Sequence, residues 1–577
     1  MKEFRVIEDS TVIAETTSVF GLKLLPGAAL LPPEGKLLTM TVNGVQVNPV
    51  PGTYEGDIVL TVTDPIHVGT MAESDLRAAV CIENGAVVPE KSVSAAAPSA
   101  AVSGNTITGL KVTSLGDCFS ALYLKDDRPY VLEAPEIECI GSGENESVGE
   151  GAGIITAGTA DVTLNRARIK VRGAARSALF GGGHSKLTIN DSEIETAGGV
   201  LPPDYEDSIA AGRMKRVPWM LGLRGNSRAT NLAESSEAVY NRCRITAYEW
   251  GAMSTDGVDR CRLTLNDSQI RVTGPSGYGT FALLDTVNTL NHCTVDVPDY
   301  ACIVANGPAS TVITGGTEIH AGRFAAMCFR NSGHIRVDGG SVLKTGETTF
   351  VVKGCATRFD VEQSVLSPEN GVILQVMDTD DPRNPRKYFV DNLEPDIPNP
   401  ARNLTAAAPG RDVIARFRDM PLTGSIYNAT TNRTYDTGPD LGDPHGPPPG
   451  GPGAPPPKKP DEVPEEQAKN LQVELDHVTL TGDISASQAR HLVPKISKEN
   501  CEDLGRVENT PAPAVNNGVI VTLKNQSCWI VTKPCYLTAL TVDETSRIEG
   551  IFLKNGQETP LQPGHTYCGS LMLKPQP

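Results

Sequence analysis

AspValThrLeuAsnArgAlaArgIle at 161–169, LysLeuThrIleAsnAspSerGluIle at 186–194 and ArgLeuThrLeuAsnAspSerGlnIle at 262–270 are one nine-residue phrase written three times. Looser copies run from Val239 to Ile245 and from Thr289 to Val295. The closing apolar residue serves as a marker: Ile169, Ile194, Ile245, Ile270, Val295, Ile319, Val342 and Val365, with steps of 25, 51, 25, 25, 24, 23 and 23. A fixed period in the twenties is the mark of a solenoid. Each copy alternates apolar and polar residues, breaks at a polar residue, then alternates again, which describes short strands separated by tight bends. Four residues before the marker stand Asn165, Asn190, Asn241, Asn266 and Asn291, then Gly315 and Asp338. These residue types tolerate left-handed backbone angles, so the bends are expected at them. Stacked copies can also pair their side-chain amides along the axis.

The pattern resembles the right-handed parallel β-helix, or pectin-lyase-like, superfamily from about Tyr130 to Met377. The fold class this implies is all-β, a right-handed parallel β-helix solenoid with an N-terminal β-rich cap. Residues 1–128 hold strand-like alternation from Leu37 to Val47 with an AsnGly turn at Asn43, and are expected to cap the coils. Residues 129–377 are the regular coils, with a loop inserted at 199–218. Residues 378–470 form an excursion with a Pro-rich segment at 443–465, which cannot pack a core. Coil-like phrases return at Leu422 to Ile426 and Leu480 to Ile484, and 471–577 are expected to hold the last coils and a C-terminal cap.

The chain has 577 residues, 51 Lys and Arg against 69 Asp and Glu, and a net charge of −18. That balance, without a basic stripe, argues against a nucleic-acid partner. No stretch reaches the apolar length of a membrane span, and no membrane partner is expected. The first residues lack the apolar core of a signal peptide, so the sequence as it stands reads as cytoplasmic, and as secreted if a leader was removed. Thirteen cysteines show no zinc-ligand spacing. Several, including Cys243, Cys261, Cys293, Cys302 and Cys328, are expected as buried free thiols.

The doubled step between Ile194 and Ile245 locates the irregularity. Matching Trp219 to Trp250, which follows Ile245 by five, puts about 20 inserted residues before Trp219. Long loops on a rigid stack are where chemistry tends to sit. Trp219, Trp250, Tyr278, Tyr300 and Phe324 form an aromatic ladder at the strand starts, which either packs inside or faces outward as a sugar platform. Arg224, Asp256, Asp285, Asn306 and Arg330 follow at the strand ends. With coils about 4.8 Å apart, Asp256 and Asp285 would be neighbours and could serve as an acid/base pair for glycoside chemistry. SerThrAspGlyValAsp at 254–259 resembles the AsnThrAspGly-x-Asp signature of polygalacturonase-type hydrolases, which would carry a catalytic carboxylate onto Asp256. The family's AspAsp pair and GlyHisGly are missing, and ArgIleLys at 168–170 lies upstream instead of downstream.

These observations lead to a carbohydrate-active enzyme, hydrolase or lyase, with Asp256, Asp285, Arg224 and Tyr205 as catalytic candidates. Glu206, Arg213, Lys215, Arg216, Trp219, Trp250, Tyr278, Arg330 and His184 are the substrate-binding candidates, since a cationic loop on an acidic protein suits an acidic sugar. The partner is a carbohydrate or small-molecule substrate. The alternatives are a non-catalytic glycan-binding or surface-scaffold protein and a small-molecule isomerase or hydrolase. No cofactor is required, and Asp378, Asp380 and Asp381 could offer oxygen ligands to Ca²⁺, although not at EF-hand spacing.

Overall fold

The computed structural model describes residues 4–69, 73–208, 212–255, 260–329, 332–381, 390–391, 412–431, 470–515 and 517–576. It is nearly all β, and its strands fall in two compact units, 1–217 with 225–275, and 218–224 with 276–577.

In the first unit each coil supplies three short strands, for example Asp161–Asn165, Arg168–Arg172 and Arg176–Gly181. Each pairs in parallel with its counterpart one coil on. Val162, Leu187, Ala238 and Leu263 fall in one column, and so do Ile169, Ile194, Ile245 and Ile270. The markers are at most 1% exposed because period-2 alternation turns them inward. Parallel pairing begins upstream of 129: Ser74–Glu83 pairs with Phe119–Lys125, and Lys111–Ser114 with Glu136–Ile140. Ahead of it, Thr17–Leu24, Leu37–Val42, Val45–Val47 and Gly52–Thr63 form an antiparallel layer around Leu22, Met40, Ile58 and Leu60.

The expected amide ladder is present. Asn266 donates to Asn241 at 3.0 Å, Asn241 to Asn190 at 2.9 Å, Asn190 to Asn165 at 3.0 Å, and Asn165 to Glu133 at 2.7 Å. The bend itself lies one residue later than expected. Arg166, Asp191, Arg242 and Asp267 take the positive φ of 51° to 54°, while each Asn ends its strand in extended conformation. The asparagine therefore ties coils together and its neighbour turns the chain.

In the second unit the same three-strand coil recurs, for example Val287–Asn291, Thr294–Val297 and Tyr300–Ala305. Ile319 pairs with Leu343 and Leu343 with Leu366, so the inward markers are Leu343 and Leu366, not Val342 and Val365. A one-residue slip turns a strand residue to the other face, and Val365 is 52% exposed. The long strands Val413–Thr431 and Leu471–His491 rejoin the coils, with Leu422 opposite Leu480 and Ile426 opposite Ile484. The Pro-rich segment 443–465 lies outside the described residues. All thirteen cysteines are free, and only Cys118 and Cys568 are not buried.

Asn241→Ala is expected to lower stability by about 1–3 kcal/mol, because it leaves the Asn190 oxygen and the Asn266 amide without their ladder partner. Urea unfolding followed by circular dichroism measures the loss; an unchanged midpoint would mean that solvent satisfies the ladder equally well.

Candidate functional site

The inserted loop belongs to the first unit up to Val217. Gly212 donates its backbone N–H to Ser147 Oγ at 2.6 Å, and Lys215 Nζ lies 2.5 Å from Glu144. Arg216 pairs with Asp207 and covers the Tyr205 ring at 5.4 Å. The Tyr205 hydroxyl accepts the Lys215 backbone N–H at 2.9 Å, and burial pushes its pKa up, so this phenol is not poised as a base. Arg213, Glu206 and His184 are exposed. Most of the loop's cations thus meet protein carboxylates.

Trp219 is not the counterpart of Trp250. Arg228 pairs with Gly251, so the residue opposite Trp250 is Ser227, and the whole excess lies between Glu193–Ala197 and Ser227–Leu232. Trp219 instead opens a short 3₁₀ turn in the second unit and packs with Met220, Ile496, Cys501 and Leu504. Trp219, Trp250 and Tyr278 are each at most 4% exposed, which corrects their assignment as substrate-binding residues: a side chain with no free surface offers a sugar no face. Trp250 carries the buried Arg228 guanidinium 4.4 Å above its ring, and Arg228 pairs with Glu146 at 2.5 Å. Tyr300 pairs with Tyr278 and Phe324, and stacks on Phe324 at 5.6 Å. Asp285 is half-buried at a turn of the second unit; Asp256 and Arg330 lie outside the described residues.

Arg224 follows no strand end. It precedes Ser227–Leu232, and its guanidinium donates to Glu499 O at 2.5 Å and to Glu502 at 2.9 Å. Beside it lies a buried polar cluster that sequence reasoning missed. Arg323 donates to Asp299 at 2.7 Å, to Glu502 O at 2.6 Å and to Gly222 O at 2.5 Å, with its guanidinium 4.5 Å from the Tyr300 ring. Asp299 also accepts from Ser276 Oγ at 2.7 Å and from Gly277 N at 2.8 Å. Gly222 has φ of 71°, and a Cβ there would meet the Tyr300 hydroxyl at 2.8 Å. One sequence signal was available: Asp299 and Arg323 each directly precede a ladder aromatic. The Ca²⁺ candidates Asp380 and Asp381 each present an oxygen 2.8 Å from Lys353 Nζ. An ammonium already stands where a cation would be held.

The open site of the second unit lies on a different face. Four parallel strands alternate inward apolar and outward charged residues: Ser332–Val337, Ala356–Glu362 and the starts of Val413–Thr431 and Leu471–His491. Register sets Arg336, Asp360, Arg416 and Glu474 in one outward column, and Glu362, Arg418 and Asp476 in the next. They line a cleft of about 380 Å³ with His334 and Arg358. Arg358 grips Asp360 at 2.5 and 3.0 Å, and His334 reaches it at 2.8 Å. Arg416 is held loosely, 3.8 Å from Asp360 and 4.0 Å from Glu474, beyond hydrogen-bond length. Burial raises the Asp360 pKa, but the Arg358 and His334 contacts outweigh it and hold this carboxyl below the usual range. For Asp476, contacts from Asn525, Lys524 and Arg418 likewise outweigh burial.

Among the described residues, no group of three His, Cys, Asp or Glu side chains is arranged to hold a metal ion, and no helix is long and apolar enough to cross a membrane.

Arg323→Met should cost about 3–5 kcal/mol, since it strands the buried Asp299 carboxylate. Arg323→Lys should recover only part of the loss, lacking the planar fork. Tryptophan fluorescence during urea unfolding reads both.

Comparison with protein-family profiles, with curated proteins and with solved structures found no match to this chain.

Proposed function

We propose that the chain is a right-handed parallel β-helix of the pectin-lyase-like kind, capped by the antiparallel layer of residues 17–63, which binds a neutral glycan without turning it over. The charged cleft carries this reading. Arg336, Arg358, Arg416 and Arg418 are matched by Asp360, Glu362, Glu474 and Asp476, four against four, so the walls offer little net field to an ion of either sign. What they offer is a dense array of donors beside acceptors. Vicinal sugar hydroxyls both donate and accept, and planar guanidinium and carboxylate groups can engage two at once. Arg416, 39% exposed and loosely paired, is the side chain with the most donors to give.

The enzyme reading has less behind it. Lys215, Arg216 and Arg224 already meet carboxylates, and Trp219, Trp250 and Tyr278 are buried. Non-catalytic binding requires none of these groups.

Isothermal titration calorimetry against neutral oligosaccharides and polygalacturonate, with reducing ends assayed in parallel, tests the proposal. A neutral glycan should bind with little dependence on salt, and Arg416→Gln should weaken it roughly 10- to 100-fold, the worth of hydrogen bonds to a charged group. Because the folded pKa values of Asp360 and Asp476 are depressed, their charged forms persist from pH 7 to 5. Affinity lost through protonation of these two carboxylates should go only below about pH 4, the ordinary carboxylate range. Release of reducing ends, or binding confined to polygalacturonate, would overturn it.

A further inference from the structure

Lys353 ends the strand Phe350–Lys353 and pairs with Met377 one coil on. Its Nζ lies 2.8 Å from Asp380 Oδ1 and 2.8 Å from Asp381 Oδ1. The side chains of Lys353 and Asp380 have no exposed surface, and that of Asp381 has 10%. The second Asp380 oxygen, Oδ2, accepts the Gly505 backbone N–H at 2.6 Å and faces His491 Nε2 at 3.0 Å. The pocket is tight: a Cβ on Gly505 would come within 3.4 Å of Lys353 Cε and 3.3 Å of the Phe324 ring. A buried amine is thus pressed against one carboxyl group, with a second carboxylate at the same distance and two hydrogen-bond partners on the far oxygen.

We propose that Lys353 and Asp380 join in an intramolecular isopeptide bond, with Asp381 carrying the protons. Asp381 takes a proton from the Lys353 ammonium, and the freed lone pair attacks Asp380 Cγ. Negative charge develops on Oδ2, where the Gly505 N–H and His491 are placed to receive it. Asp381 delivers its proton to Oδ1, takes a second from the tetrahedral nitrogen, and passes that to Oδ1 as well. The Cγ–Oδ1 bond breaks and water leaves. One ammonium and one carboxylate become one amide and one water, Asp381 ends as it began, and no oxidant, metal or outside reagent enters.

Three features favour the step. The reacting groups are held in contact by strand pairing, which supplies the orientation that intramolecular reactions gain from. The proton carrier is within hydrogen-bond reach of the amine. Desolvating separate charges is costly, so replacing a buried ion pair by a neutral amide relieves the site. Burial opposes the charge on Lys353 while Asp380 and Asp381 hold its proton on, so the unreacted cluster is ionic and proton transfer to Asp381 must come first. The product would close a covalent ring around one coil and act on the unfolded chain as a disulfide does.

Mass spectrometry of the denatured full-length chain decides the matter. The proposal expects a mass below that of the sequence by one water, and a branched proteolytic peptide linking Lys353 to Asp380. Lys353→Arg and Asp381→Asn should each show the full mass of their own sequence, with circular dichroism reporting that Asp381→Asn still folds. A wild-type chain at full sequence mass, folded and held for days at neutral pH, would overturn the proposal, as would a branch at Asp381 or water loss that survives Asp381→Asn.

Discussion

Every coil in each unit must repeat its neighbour's path in register, because parallel pairing leaves no other partner for the backbone groups of a short strand. One corner enforces this. The residue after each ladder asparagine takes the left-handed conformation, and the asparagine side chain bonds to its copy in the next coil. A coil whose corner slipped by one residue would lose its amide partner and turn its inward markers outward together, so register errors carry a compound penalty.

With register fixed, charge placement follows. Positions two apart on a strand share a face, and the same positions on successive strands form columns about 4.8 Å apart. On the outward face of the second unit this spacing sets arginines between carboxylates and produces a nearly neutral lattice on a protein of net charge −18. Inside, the same geometry lines up Tyr278, Tyr300 and Phe324. Lys353 enters the interior of this unit at the end of Phe350–Lys353, and Arg323 just before Phe324–Phe329.

The fold was legible because its determinants are local and repeated: a spacing of 25 residues, an asparagine and an inward aliphatic are visible without knowing any distant contact. Errors arose where the repeat was imperfect. At Val342–Leu343 and Val365–Leu366 two aliphatics stand side by side, and only one of each pair can face in. Trp219 and Trp250 share a residue type but not a position, since pairing puts Ser227 opposite Trp250. The buried clusters were not legible for a different reason. Arg323 bonds to Glu502 and Asp380 to Gly505, 179 and 125 residues away, and no periodicity links such positions. The charged cleft falls between these cases: its columns follow from period-2 alternation, but its strands lie far apart in the sequence, which hides their adjacency.

The thirteen free cysteines, most of them sealed in the coils, give unfolding a direction. Burial holds Cys243 and Cys501 up at about 11, and Cys302 and Cys355 at about 12, so these buried thiols present almost no thiolate to an oxidant. Once the coils open, these thiols revert to ordinary acidity and meet one another in a flexible chain. In an oxidising medium they would cross-link at random, and refolding would be blocked by covalent chemistry. Persistence of this protein there would then be set by the rate at which coils open, and not by the equilibrium between folded and unfolded forms.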